Sequence, residues 1–216
     1  EKAKKAGIEV VLVDTTVNKP AKVAVSAISS NNYAGGAAAL KAVQRAGVSS
    51  GQVMGIGVRP GISTTDARDA GFKDAVAKNS NFEFIGQEYS QNEPAIAAQI
   101  TSAAIAANPD LKAIFASNLF SAQGAATGIK QAGKEGEIII IGFDAGPDQI
   151  KALKDGTVQA LIAQKPYNIG TQGVAQALRA INGKKTKEKI TTGFTILTDK
   201  NVNTNFGKKA AYRSKC

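Results

Sequence analysis

The chain has 216 residues, a formal net charge of +10 and no histidine or tryptophan. The lack of histidine excludes the commonest general base, the usual zinc sites and every Ser-His-Asp or Cys-His catalytic arrangement. Basic residues lie singly along the predicted helices and gather only at 184–189 and 208–215, so we expect a solvated surface and no nucleic-acid partner. No apolar stretch reaches about 18 residues, so we expect no direct membrane insertion.

Short apolar runs alternate along the chain with alanine-rich helical patterns. The first residues, EKAKKAGIEVV, are typical of a helix end that continues into a strand. Runs of Val, Ile or Phe bounded by turn residues are typical of strands buried on both faces. We predict strands at 9–14, 22–28, 52–58, 82–89, 112–117, 137–144 and 158–164. We predict helices at 33–46, 64–77, 93–107, 120–132, 148–154 and 166–181.

Repeated succession of strand, crossover helix and strand predicts an α/β fold with parallel sheets covered by helices on both faces. Beyond residue 186 the only strand-like run is TGFTIL, and the sequence from 203 onward carries weak signals. The single cysteine, Cys216, is the last residue, so no disulfide can form within the chain.

Enzyme motifs are missing from the sequence. There is no GxxxxGK[ST] phosphate loop, no GxGxxG after a strand and no GxSxG elbow. Asp66 and Asp69 lie three residues apart on a predicted helix, a spacing that predicts a solvated face rather than a hydrolytic pair. We therefore predict a protein that is not an enzyme and that holds no cofactor and no metal.

Polar residues follow most of the predicted strands, at the edge where open α/β sheets bind their ligands. Carboxylates and amides pair with neighbouring hydroxyls, and arginine supplies a planar fork of donors, so such a set suits a small polyhydroxylated molecule. Asn31 and Asn118 could instead cap helices, and Asp144 could begin a Gly-Pro turn. The residues at these ends are Asp14, Thr15, Asn31, Asn32, Arg68, Asn118, Asp144 and Gln164.

Several motifs occur in the order and spacing of a known family: STTDARDAGFKDAV, NPDLKAIFASN and IIIIGFDAGPDQIKALKDGTVQALIAQKPYNIG. From about residue 8 to 182 the chain resembles the ribose- and galactose-type sugar receptors of ABC importers, the type I periplasmic binding proteins. The resemblance implies two Rossmann-like lobes with parallel sheets flanked by helices, and a sugar trapped between them by hinge closure. It implies a partial N-terminal lobe at 1–30 plus 165–193 and a C-terminal lobe at 31–164 plus 194–216.

The resemblance also assigns the ligand contacts. Three positions depart from the ribose receptors: Thr15 stands where they carry arginine, Asn31 replaces a frequent aspartate, and Leu119 follows Asn118 where an acidic residue is common. We therefore expect a less charged pocket, and a different pentose, a hexose or a sugar alcohol becomes plausible. The ligand-binding residues implied are Asp14, Thr15, Asn31, Arg68, Gln91, Asn92, Asn118, Asp144 and Gln164.

Relative to such receptors, the sequence lacks roughly the first two β-α units of the opening lobe and the export signal, which predicts an incomplete first lobe. The resemblance implies a monomeric receptor in the periplasm or outside the cell that delivers a monosaccharide or sugar alcohol to ABC permease subunits. The alternative is the sugar-sensing effector domain of a LacI-type transcription regulator, which has the same fold behind a helix-turn-helix. An α/β enzyme acting on carbohydrate or nucleotide is disfavoured by the missing phosphate loop and histidine.

Overall fold

A computed structural model describes residues 2–213, which form two compact units. Unit 1 contains the described residues up to Asn31 together with Gln164–Phe194. Unit 2 contains Asn32–Ala163 and the described residues from Thr195 onward. The chain therefore passes from one unit to the other after Asn31, after Ala163 and after Phe194. Cys216 lies outside the described residues.

The helices and strands alternate for most of the chain. The strands are β1 (Val11–Val13), β2 (Ser26–Ser30), β3 (Gly51–Gly57), β4 (Phe82–Tyr89), β5 (Leu111–Ala116), β6 (Ile139–Phe143), β7 (Ala160–Ala163), β8 (Lys189–Thr192) and β9 (Thr195–Thr198). The helices are α1 (Lys2–Lys5), α2 (Asn32–Arg45), α3 (Ser63–Ala77), α4 (Pro94–Ala107), α5 (Leu119–Gln131), α6 (Pro147–Lys154), α7 (Pro166–Ile181) and α8 (Asn205–Ala210). A 3-10 turn covers Pro20–Lys22.

Unit 1 is built on a three-stranded parallel sheet in the order β1-β2-β8. Helix α7 packs on β1 and β2, where Gly173 leaves room for the side chain of Val13. The buried apolar side chains described in this unit are Ile28 and Ile169. Unit 1 therefore has a small core, since its short strands bury little apolar surface.

Unit 2 is built on a six-stranded sheet in the order β4-β3-β5-β6-β7-β9. Its pairings are parallel except that of β9, which runs antiparallel to β7. All five residues of β6 are buried, as expected for a central strand covered on both faces. The chain leaves β3 for the edge strand β4 and then returns past β3 to β5. This reversal of strand order places a crevice at the carboxyl ends of β3 and β5.

Helices α2 and α3 approach each other closely at two glycines. A β-carbon added to Gly36 would overlap the backbone oxygen of Arg68, and one added to Gly71 would overlap the backbone oxygen of Tyr33. Only glycine permits this approach, because any side chain would force the helices apart. The contact fixes the position of α3, and therefore of Arg68, relative to α2.

The predicted parallel sheets flanked by helices are present, and several details differ from the predictions. The strand predicted at 22–28 lies at Ser26–Ser30, because Pro20 begins a 3-10 turn and its backbone oxygen accepts from the N–H groups of Val23 and Ala24. Ser29 and Ser30 extend the strand because they pair with β8. Strand β8 and helix α8 lie outside the predicted elements, and β9 runs antiparallel to β7. No helix among residues 2–213 is both long and apolar enough to cross a lipid bilayer.

Candidate functional site

Asp14 and Asp144 occupy equivalent positions in the two units. Each follows a parallel strand directly, and each backbone N–H donates to a carbonyl of the neighbouring strand, Ile28 at 2.8 Å and Ile162 at 3.0 Å. Their φ angles are 65° and 79°, in the left-handed region that aspartate tolerates better than most side chains. Such backbone conformations persist where the surrounding structure imposes them, and they cluster at binding sites.

Arg68 is held from three sides in unit 2, with 3% of its surface exposed. Its Nε donates to Asn32 Oδ1 at 2.8 Å, and its Nη1 donates to the backbone oxygen of Ser117 at 2.9 Å. The guanidinium carbon lies 3.7 Å from the ring centroid of Phe143, a cation–π contact. These contacts place a fixed positive charge beside the carboxyl ends of β5 and β6.

Asn118 links the ends of β4 and β5. Its Oδ1 accepts from the backbone N–H of Ser121 at 3.0 Å, so it caps α5. Its Nδ2 donates to Asn92 Oδ1 at 2.7 Å. Gln91 and Asn92 follow β4 with φ angles of 56° and 67°, and both are exposed. Asn118 therefore has the structural role of a cap and also contacts a second predicted site residue.

Asp144 is contacted by the C-terminal part of unit 2. The hydroxyl of Tyr212 donates to Asp144 Oδ1 at 3.1 Å, and the backbone N–H of Tyr212 donates to the oxygen of Ala145 at 2.9 Å. The sequence beyond 203 gave no signal for this contact. Tyr212 reaches the site only because β9 joins the sheet next to β7.

The remaining predicted residues lie in unit 1. Thr15 is exposed and follows Asp14. The backbone N–H of Asn31 donates to the oxygen of Thr192 at 2.8 Å. Gln164 Oε1 accepts from the hydroxyl of Ser30 at 2.8 Å. These contacts tie Asn31 and Gln164 to the strands of unit 1.

Within unit 2 the structure brings together Asn92, Asn118, Arg68 and Asp144 at the carboxyl edge of the sheet. Gln91 adjoins Asn92 there. The residues that hold this set in place were not selected from the sequence as ligand contacts. Asn32 was the second of two adjacent asparagines, and only the fold shows that it contacts Arg68. The supporting residues are Asn32, Ser117, Phe143 and Tyr212.

The prediction of a solvated face is wrong for Asp69, which is 8% exposed. Its carboxyl group lies against Gly57 of β3. The pKa of Asp69 is raised to about 7, mainly by burial; the Ser117 hydroxyl lowers it, the charge of Asp66 raises it and the charge of Arg68 lowers it. The sequence motif GIG at residues 55–57 was the available signal for this burial. Two glycines on one face of a strand leave space that a large side chain from a neighbouring element must fill.

An apolar groove lies apart from this set. A groove of about 380 Å³ between β4 and α4 is lined mainly by apolar side chains, including Met54, Ile85 and Ile100, and shares none of the predicted residues. Among residues 2–213, no group of three or more His, Cys, Asp or Glu residues could hold a metal ion.

Comparison with known proteins identifies relatives for most of the chain. The profile described as "Periplasmic binding protein domain" matches residues 1–185. The ribose import binding protein RbsB of Escherichia coli K12 is 32% identical over 187 residues, which are 87% of this chain and 62% of that protein. A D-apiose import binding protein of Actinobacillus succinogenes is 30% identical over 195 residues, with the same coverage. The chain thus spans less than two thirds of these relatives.

Solved structures of solute binding proteins also match most of the chain. An ABC transporter solute binding protein from Agrobacterium vitis, bound with α-D-tagatopyranose, has a TM-score of 0.92 and 36% identity, covering 98% of this chain and 74% of that chain. A second solute binding protein from the same organism, with bound D-fucose, has a TM-score of 0.89 and 34% identity. The match covers 98% of this chain and 73% of that chain. They confirm the predicted α/β class of parallel sheets flanked by helices. The chain belongs to the periplasmic binding protein family.

Proposed function

We propose that this chain is the binding part of a sugar receptor of an ABC importer. It holds a monosaccharide or sugar alcohol by hydrogen bonds alone, in the periplasm or outside the cell, and delivers it to permease subunits. The observation that carries the proposal is the polar set around Arg68 at the reversal of strand order in unit 2. Open α/β sheets bind ligands at that place.

The residues at these strand ends suit binding better than catalysis. They supply acceptors, amide donors and one guanidinium, without a nucleophile paired to a base. The two bonds to Asn32 and Ser117 fix the plane of the Arg68 guanidinium, so its fork meets neighbouring hydroxyls in one orientation. Asp144 supplies a carboxylate that can accept from two hydroxyls.

The relatives favour a receptor over a regulator. Those described above are named import binding proteins or solute binding proteins of transporters, and their named ligands are neutral sugars. In unit 1 the proposed ligand contacts are Asp14, Thr15, Asn31 and Gln164. In unit 2 they are Arg68, Gln91, Asn92, Asn118 and Asp144. We propose a monomer, since one chain carries both sets.

A ligand screen of the full-length protein tests this function. Thermal unfolding is followed with a panel of pentoses, hexoses and sugar alcohols, and hits are measured by isothermal titration. A ligand at 100 times its Kd adds about 2.7 kcal/mol to the free energy of unfolding. We expect one or more neutral sugars to stabilise the protein. A panel without any stabilising sugar, or a response only to phosphorylated sugars added to the same panel, contradicts the proposal.

Asp144→Ala tests the proposed site with the sugar found in that screen. Removing the carboxylate leaves sugar hydroxyls buried without partners, which costs about 1–3 kcal/mol, so the Kd rises roughly five- to 150-fold. The matched control is Asp148→Ala, an exposed carboxylate at the start of α6 that accepts from Gln123. Equal affinity of Asp144→Ala and the wild type in isothermal titration would reject Asp144 as a ligand contact.

A further inference from the structure

A buried polar cluster lies beside the strand ends of unit 2, on the side of β3 that faces α3. It consists of Asp69, Gln87 and Ser117. Asp69 is 8% exposed and Ser117 is fully buried. A β-carbon added to Gly57 would overlap Asp69 Oδ2 and lie 3.0 Å from Gln87 Nε2, so both side chains occupy the space above this glycine. The side-chain carboxamide of Gln87 also covers Gly55.

Four side-chain atoms of this cluster are buried without a hydrogen-bond partner among the described residues. They are both carboxyl oxygens of Asp69, the hydroxyl of Ser117 and Oε1 of Gln87. The Ser117 hydroxyl is near enough to lower the pKa of Asp69, although its geometry is not that of a hydrogen bond. Buried polar groups are rarely left unpaired, because each loses its hydrogen bonds to water without gaining others.

Neither carboxyl oxygen of Asp69 accepts a hydrogen bond from the described residues, and a buried carboxylate without donors is much less stable than the neutral acid. An ionised Asp69 can only accept, and the uncharged groups beside it that could donate are the Ser117 hydroxyl and Gln87 Nε2, neither of which forms a hydrogen bond with it. A neutral Asp69 carries an O–H donor of its own and no charge, so it needs fewer donors from its neighbours. The opposite amide orientation of Gln87 would lose the bond from its Nε2 to the backbone oxygen of Glu88 at 3.2 Å.

We propose that Asp69 is a proton-bearing positioning residue of the strand-end site. As a neutral acid it joins α3, β4 and the end of β5, and so holds Ser117, whose backbone oxygen accepts from Arg68. Loss of its proton to solvent leaves a buried carboxylate with too few donors, and the strand ends loosen. The effect on ligand affinity rests on the proposed sugar-binding function, whereas the protonation does not.

The charges around the cluster agree with this assignment. Burial is the main cause of the raised pKa of Asp69; the charge of Asp66 adds to it, and that of Arg68 opposes it. Tyr89 of β4 also faces Asp69, and its own pKa is raised by burial first and by the Asp69 charge next. From β3 and β5 the facing groups, Gly57 and Ser117, carry no charge. On α2, which packs against α3, the titratable side chains Tyr33, Lys41 and Arg45 are exposed.

The sign of the pH dependence follows from the raised pKa. The folded state binds the proton more tightly than the unfolded chain, whose Asp69 titrates near its ordinary value of 3.8. The contribution of Asp69 to stability is therefore present below about pH 4, declines as pH rises and is lost above about pH 7. Asp69→Asn keeps a neutral donor at every pH, so the variant should lack this decline.

The first test uses the ligand-free protein. In a carbon-detected NMR titration, the carboxyl signal that is missing from Asp69→Asn should titrate near pH 7. The melting temperature of Asp69→Asn minus that of the wild type should rise by about 2–4 °C or more between pH 5 and pH 8. Asp74→Asn, which removes an exposed carboxylate from the same helix, should show a constant difference. A carboxyl group titrating near pH 4, or a constant difference for Asp69→Asn, overturns the proposal.

The second test uses the sugar found by the ligand screen. Its Kd should rise between pH 6 and pH 8 in the wild type, with a smaller rise in Asp69→Asn. Identical pH profiles would overturn the positioning role even where the first test finds the proton. If no sugar binds, the proposed function fails, and the NMR titration with the melting temperatures still decides whether Asp69 is neutral and supports the strand ends.

Discussion

Arg68 shows how one side chain can be specified by partners that are distant in sequence. Its guanidinium is held by Asn32 from α2, by the backbone of Ser117 after β5 and by the ring of Phe143 in β6. Arginine meets all three because its donors are fixed in a planar fork, whereas lysine carries a compact charge on a flexible stem. The charge alone is therefore insufficient at this position.

Arg68→Lys should destabilise the protein although it keeps the positive charge. A lysine ammonium cannot donate to Asn32 and Ser117 in the same geometry and stack on Phe143, so we expect a loss of about 2–3 kcal/mol in the free energy of unfolding. Urea denaturation at neutral pH measures it. Arg45→Lys, at an exposed site near the end of α2, is the control and should stay within about 0.5 kcal/mol of the wild type. Equal losses in both variants would contradict this account of Arg68.

At this scale the sequence indicated which residue types matter but not which neighbours they have. The positions of Asp14, Asn118 and Asp144 after apolar runs followed from strand patterning alone. The contacts of Asn32 and Tyr212 could not be predicted, since they depend on the packing of α2 on α3 and on β9 joining the sheet. The burial of Asp69 was missed because helical spacing does not reveal which face a sheet glycine leaves open. The binding roles themselves stay predictions.

Helices α2 and α3 illustrate packing set by small residues. Gly36 and Gly71 allow backbone contact, since a β-carbon at either would overlap a carbonyl oxygen of the facing helix. Glycine lowers the intrinsic stability of a helix, and at these two positions the closer packing of the helices offsets that cost. A glycine on the solvent-exposed face of a helix allows no such packing and should therefore lower stability.

Gly71→Ala and Gly170→Ala form a matched pair of substitutions inside helices. At Gly71 the methyl group meets the backbone oxygen of Tyr33, and we expect a destabilisation of about 1–3 kcal/mol. At Gly170 in α7 no described atom lies within 4 Å of the added carbon, and we expect a stabilisation of up to about 1 kcal/mol from helix propensity. Both are read from denaturant unfolding curves. A stabilising Gly71→Ala would mean that the close contact of α2 and α3 is absent.

Element type was predictable where one pattern dominated. The strand at Phe82–Tyr89 and the helix at Pro166–Ile181 have the predicted bounds, because each is a long periodic run bounded by turn residues or proline. Ser26–Ser30 was displaced because its last residues are polar and are strand only through pairing with β8. The direction of β9 cannot follow from its own four residues, since it is decided by which strand lies beside it.

The two units differ in the size of their cores. In unit 2 the central strands β5 and β6 consist almost entirely of buried residues, with large side chains such as Phe115 and Ile140. In unit 1 each strand has three to five residues, and β1 has none that is buried. Burial of apolar surface is the main favourable contribution to folding, so the units should differ in local stability.

Hydrogen exchange should reveal this difference across the molecule. Amides of β3, β5 and β6 should exchange only by global unfolding, whereas those of β1 and β8 should exchange through smaller local openings and therefore faster. Exchange followed by mass spectrometry of peptides from each strand, without ligand, measures the protection. Equal protection of β1 and β6 would show that the small core of unit 1 does not limit its stability.

The bond from Tyr212 to Asp144 makes a native residue a spectroscopic reporter. The chain contains four tyrosines and no tryptophan, so tyrosine emission is not masked by energy transfer to an indole. A phenol that donates to a carboxylate emits differently from one in water, and a bound molecule competing for Asp144 would change that emission. Occupancy of this edge of unit 2 can thus be followed by intrinsic fluorescence, without a dye or an engineered label.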